Sequence, residues 1–224
     1  TLSSSLLRSL FGGQVVVERN FPEPLFPIER VGVKEIQEDH PELTANRDDH
    51  WGYFWRQRVA TLARFAEPAR DFGWVILCDA DVVPLRNWDH LFQNIESEIL
   101  VQRDAQGRPD VGFFAVRGEH IVAFAQAWQE TMTKLEGTPY TGYRSDGLAL
   151  EMVLASGAFQ VREFEHGEVM HPFDEGVSFA DCLDAAALHL TGVSIEKKTK
   201  LAFALHMMWV YGEDEGVFLD ILEA

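Results

Sequence analysis

From His50 to Ala66 the apolar residues Trp51, Phe54, Trp55, Val59, Leu62 and Phe65 recur at three- and four-residue steps, and this spacing predicts an amphipathic helix packed on a flat surface. Trp74-Val75-Ile76-Leu77-Cys78 then runs without a polar break and is rich in β-formers, as expected of a central strand covered by helices on both faces. A helix leading into a buried strand predicts a parallel α/β sheet. Downstream, Ile99–Gln102 and Gly112–Val116 read as strands. A helix is predicted from about Glu119 to Leu135, with Ile121, Ala125, Trp128, Met132 and Leu135 on one face, and a second from about Asp146 to Leu154. Strand-like Phe159–Phe164 and Ala187–Leu190 close the sheet, and a helix from about Lys200 to Tyr211 leads into an acidic tail.

The first fifty residues are less regular. Leu2–Leu10 is helix-like, Gly12-Gly13 is a helix stop, and Gln14–Glu18 reads as a strand. Pro22, Pro24 and Pro27 exclude a central strand there, so residues 20–49 are expected to be irregular or to hold short elements. No internal repeat or low-complexity segment is present, and residues 1–224 read as one domain.

Composition narrows the class. At 224 residues with 46% hydrophobic side chains the chain can bury a substantial core. Its longest apolar runs fall far short of the roughly 20 residues a membrane helix needs, so no membrane span is expected. Two cysteines, Cys78 and Cys182, make neither a disulfide framework nor a zinc pattern, which favours a reducing, cytoplasmic location. A net charge of −17 argues against nucleic acid, whose phosphates demand clustered Lys and Arg. The same charge repels any anionic ligand unless a divalent cation or a local basic patch offsets it.

Asp79-Ala80-Asp81 follows the buried strand directly, and in open α/β sheets ligands bind beyond the carboxyl ends of strands. If the extended geometry continues, residues two apart point the same way and both carboxylates face one point. Two converging carboxylates suit Mn²⁺ or Mg²⁺, which in turn holds phosphate oxygens. The alternative is an Asp79 that caps a turn and an Asp81 that is merely solvated. Arg58, on the preceding helix, is placed to donate to a diphosphate or is simply solvated. Lys197, Lys198 and Lys200 form the one basic cluster, read either as a phosphate contact or as a solvated charge run.

In its order of motifs the chain resembles the A-type nucleotide-sugar glycosyltransferases, whose D-x-D motif ends a central strand as Val75 to Asp81 does here. Asp110-Val111-Gly112-Phe113-Phe114-Ala115-Val116-Arg117 is similar to the family strand Asn-x-Gly-Phe-x-x-x-Arg, with Asp110 in place of Asn. Ser145-Asp146-Gly147 is similar to the acidic helix start that faces the acceptor or the reacting sugar carbon. Leu188-His189-Leu190-Thr191-Gly192, with Lys197 soon after, is similar to the late His-x-x-Gly segment that supplies a third metal ligand and a phosphate-contacting lysine.

The resemblance implies a single Rossmann-like A-type domain, a mixed and mostly parallel sheet flanked by helices. It implies transfer of a sugar from a UDP- or GDP-sugar to a glycan or other acceptor hydroxyl, with Mn²⁺ or Mg²⁺ on Asp79, Asp81 and His189. Asp81 and Asp146 are then the catalytic residues, and Asp79, Gly112, Arg58, Gly192 and Lys197 the donor contacts. His189 is equally readable as a satisfied core histidine, and Asp146 as an acid stabilising a helix start. The family's first strand, whose loop binds the base, has no counterpart in this reading of residues 1–18. Two alternatives stand beside it: a haloacid-dehalogenase-type phosphohydrolase with Asp79 as nucleophile, and a catalytically silent sugar-nucleotide-binding domain.

Overall fold

The computed structural model describes residues 15–19, 33–37, 50–79, 81–104, 106–138, 145–165, 167–172, 177, 179–191, 194, 196–198 and 200–201. The expected helix Leu2–Leu10, Gly192 and the part of the last helix beyond Leu201 lie outside them. Mixed sheets and helices make the fold α/β, as the sequence predicts, and the contacts gather into two compact units.

One unit holds the strands β3 (Trp74–Cys78), β5 (Ile99–Arg103), β6 (Pro109–Arg117) and β7 (Val161–Glu163). Its helices are α1 (His50–Ala69), α2 (Gly118–Leu135) and α3 (Ser145–Ala155). The sheet order is β3-β6-β5-β7, with β6 antiparallel to both neighbours and β5 parallel to β7. The apolar run at β3 therefore marks the end of the described order rather than its middle, and its residues are half-buried. The strand covered on both faces is β6, where Phe113, Phe114, Ala115 and Val116 are all fully buried. A run of apolar residues reports how much side-chain area is covered, whereas position in the ladder depends on pairings that the run itself does not encode.

Leu62 and Ala66 of α1, Phe124 and Trp128 of α2, and Leu150 of α3 share one core with Phe114 of β6. Phe114, Phe124 and Trp128 meet in tilted and edge-on ring contacts with centroids 5.5–5.8 Å apart, the geometry aromatic quadrupoles favour. The helix predicted to stop at Ala66 runs on to Ala69 with Pro68 in its last turn, where a missing N–H forfeits a single helical bond. Gly118 opens α2 directly after β6, and a Cβ there would lie 1.9 Å from the Phe72 carbonyl oxygen, so only glycine permits this close approach.

The second unit holds β4 (Val82–Pro84), β8 (Val169–Met170), β9 (Ala187–His189), the short helix α4 (Phe179–Asp184) and a 3₁₀ turn at Asp89–Phe92. The strand order is β4-β9-β8, antiparallel then parallel. Pro84 is tolerated because it closes a three-residue strand at the end of the order, and the ladder continues through Leu85 N–H donating to Ala186 O at 2.9 Å. The same unit holds β1 (Val15–Arg19), paired in parallel with β2 (Val33–Gln37), a short strand within the stretch expected to be irregular or to hold short elements. No helix among the described residues is long and apolar enough to cross a membrane.

Candidate functional site

Asp79 and Asp81 come together just beyond β3. The β3 strand ends at Cys78, and Val82 N–H donates to Asp79 O at 3.1 Å, which draws the two residues together. Val82 and Val83 enter β4, both buried, and anchor this stretch to the core of its unit. β9 lies antiparallel to β4 with His189 opposite Val82, and Leu190 N–H donates to Asp81 O at 3.0 Å. The ladder thus carries the imidazole to the aspartates, and His189 Nε2 lies 3.4 Å from Asp81 Oδ1.

One ligand atom from each of Asp79, Asp81 and His189 lies within 4.8 Å of the other two. Donors bound about 2.1 Å from an octahedral cation are themselves about 3 to 4.2 Å apart, so the spacing is close to what a divalent ion requires. Two carboxylates and an imidazole also suit Mn²⁺ chemically, with Mg²⁺ the more oxygen-demanding alternative.

Lys198 closes the cluster: its Nζ ion-pairs with Asp81 Oδ2. Burial raises the Asp81 carboxyl, but hydrogen bonds and charge from His189 and Lys198 outweigh it and hold the group well below the usual carboxylate range. Ser194 fixes the lysine's helix, its Oγ accepting from Lys197 N–H at 3.3 Å and its carbonyl from Lys198 N–H at 2.9 Å. Helical geometry begins by Glu196, earlier than the expected Lys200.

His171 belongs to this group although its sequence context carries no signal. It is 7% exposed, and its ring centroid lies 5.0 Å from that of His189, the planes inclined by 47°. Only the β8–β9 pairing, invisible in two-residue Val169–Met170, brings it there.

The other predicted residues sit in the first unit. Asp146, 1% exposed in the first turn of α3, accepts from Arg58 Nη1 through Oδ2 at 2.8 Å and from Gly147 N–H through Oδ1 at 2.9 Å. Its own carbonyl accepts from Trp128 Nε1 at 3.0 Å. Arg58 is accordingly neither solvated nor uncommitted. Gly112 lies in β6, where its N–H donates to Asp110 Oδ1 at 2.8 Å. Arg117, at the end of the same motif, is structural: its Nε donates to Ser97 O at 3.0 Å and its guanidinium lies over the Trp74 ring.

No protein-family model and no curated protein sequence matches the chain. Among solved structures it is similar to a glycosyltransferase involved in the glycosylation of the major capsid of PBCV-1, with a TM-score of 0.56 and 12% identity over 79% of this chain and 84% of that one. At that identity the likeness is one of fold, and the fold is glycosyltransferase-like.

Proposed function

We propose that residues 1–224 act as one metal-dependent glycosyltransferase domain, moving a sugar from a nucleoside diphosphate sugar to an acceptor hydroxyl. The observation that carries this reading is the convergence of Asp79, Asp81 and His189 in a chain with a glycosyltransferase-like fold. These three residues would hold Mn²⁺ or Mg²⁺, whose chemistry is to neutralise charge building on the leaving diphosphate. Asp79 and Asp81 would supply anionic donors for the cation, and the cation would offset the repulsion between a chain of charge −17 and a diphosphate. Asp146, held by Arg58 and the Gly147 N–H, is proposed to orient the acceptor hydroxyl or stabilise the reacting sugar. Gly112, Gly192 and Lys197 are proposed donor contacts.

Calorimetry with UDP- and GDP-sugars, with and without Mn²⁺, followed by a turnover assay, tests this reading. Binding should require the cation, and Asp81→Asn should lose turnover while keeping the fold. Undiminished activity in excess EDTA would sink the metal mechanism. Phosphatase activity without nucleotide-sugar binding would favour the phosphohydrolase instead.

A further inference from the structure

Asp81 has positive or hydrogen-bonding partners on both oxygens. Lys198 Nζ occupies Oδ2, and His189 Nε2 faces Oδ1. Neither Asp81 nor Lys198 is fully exposed, their side chains being 22% and 26% accessible, so the pair is screened less than one on the open surface. Asp79 lies in the same cluster, and two carboxylates this close repel unless a positive charge stands between or beside them. Lys198 supplies such a charge at Asp81. A divalent cation held by Asp79, Asp81 and His189 would face the ammonium across a shared carboxylate, where the two positive charges repel.

We infer that Lys198 is a built-in counter-ion of this cluster, which a divalent cation must displace from Asp81 Oδ2 in order to bind. The inference rests on the proposed metal reading and adds its regulation: cation uptake and lysine release are one exchange. Without a cation the ammonium stays on Asp81 Oδ2; once a cation binds, the same ammonium is expelled. The cost of expelling it lowers apparent cation affinity, and a side chain of equal bulk without charge removes that cost. A merely positioning lysine would behave in the opposite way, since its loss would loosen Asp81 and weaken the site.

The test is calorimetric titration of the full chain with Mn²⁺ alone, comparing wild type, Lys198→Met and Lys197→Met. Lys198→Met should bind Mn²⁺ several-fold more tightly, and Lys197→Met, which removes an equal charge one residue away, should change affinity much less. In parallel, the acylation of Lys198 in the wild-type chain by an N-hydroxysuccinimide ester, read by peptide mass spectrometry, should rise on saturation with Mn²⁺. Equal or weaker binding by Lys198→Met, or Lys198 labelling unchanged by Mn²⁺, overturns the exchange. If Lys198→Met fails to fold by circular dichroism, the labelling of wild type decides alone. Mn²⁺ binding by neither chain overturns the metal reading and the exchange together, whereas equal binding by both overturns the exchange only.

Discussion

Arg58 of α1 donates to the carboxylate of Asp146 in α3 at 2.8 Å, joining two helices whose contact residues are 88 positions apart in sequence. The side chains are 14% and 1% exposed, so each charge depends on the other for solvation. Removing one partner of a buried pair leaves an uncompensated charge and typically costs about 3–5 kcal/mol. Arg58→Met and Asp146→Leu should each lower stability to urea by an amount of that order, and the double variant should be less destabilised than the sum of the two. A coupling below about 0.5 kcal/mol would show that the residues act independently.

The sequence made β3, α2 and α3 legible because each carries a full period of apolar residues, and their observed bounds differ from the expected ones by at most one residue. It concealed β4, whose Val82-Val83-Pro84 is too short to show alternation and contains a residue that argues against a strand. That omission matters, since β4 and its pairing with β9 are what bring His189 to Asp81. The aspartates were visible as a pair, whereas the bond from Val82 N–H to Asp79 O, which draws the start of β4 back towards the end of β3, was not. The lysine cluster was visible too, though not which member reaches Asp81. Successive helical residues point about 100° apart, and the phase is set by the Ser194 cap, which composition does not announce.

Cys182 is fully buried, and burial together with the neighbouring Asp181 charge pushes its thiol up to about 11. The thiolate is the reactive form, so native Cys182 should resist iodoacetamide at pH 8 while half-buried Cys78 reacts, and both should react after unfolding. A folded value above the unfolded one of about 8.5 contributes stability that is fully present below the latter and lost as pH rises through the former. Wild type should therefore lose stability between about pH 9 and 11, by more than Cys182→Ala does over the same range. Equal labelling of Cys182 in the native and unfolded chains would contradict this.

His189 decides whether the cluster behaves as a site with a nitrogen donor. It is 4% exposed, held opposite Val82 by the β4–β9 ladder, and its Nε2 faces Asp81 Oδ1. Imidazole suits Mn²⁺ better than Mg²⁺, so His189→Ala should weaken Mn²⁺ binding more than Mg²⁺ binding and bring the two affinities closer. Loss of a direct donor should weaken Mn²⁺ on the order of tenfold or more, since even outer partners of metal ligands are worth that much. A coordinating imidazole must also be neutral, so protons compete with the cation for it: wild-type affinity should fall on acidification, and the variant should lose much of that dependence. Calorimetry with Mn²⁺ and Mg²⁺ at a neutral and at a mildly acidic pH measures all three effects. His189→Gln, which keeps a polar side chain of similar reach in the buried position, separates loss of the donor from loss of packing. Retention of wild-type Mn²⁺ affinity and preference by both variants would make His189 a core histidine, and the cation would have to be held by the two aspartates without it.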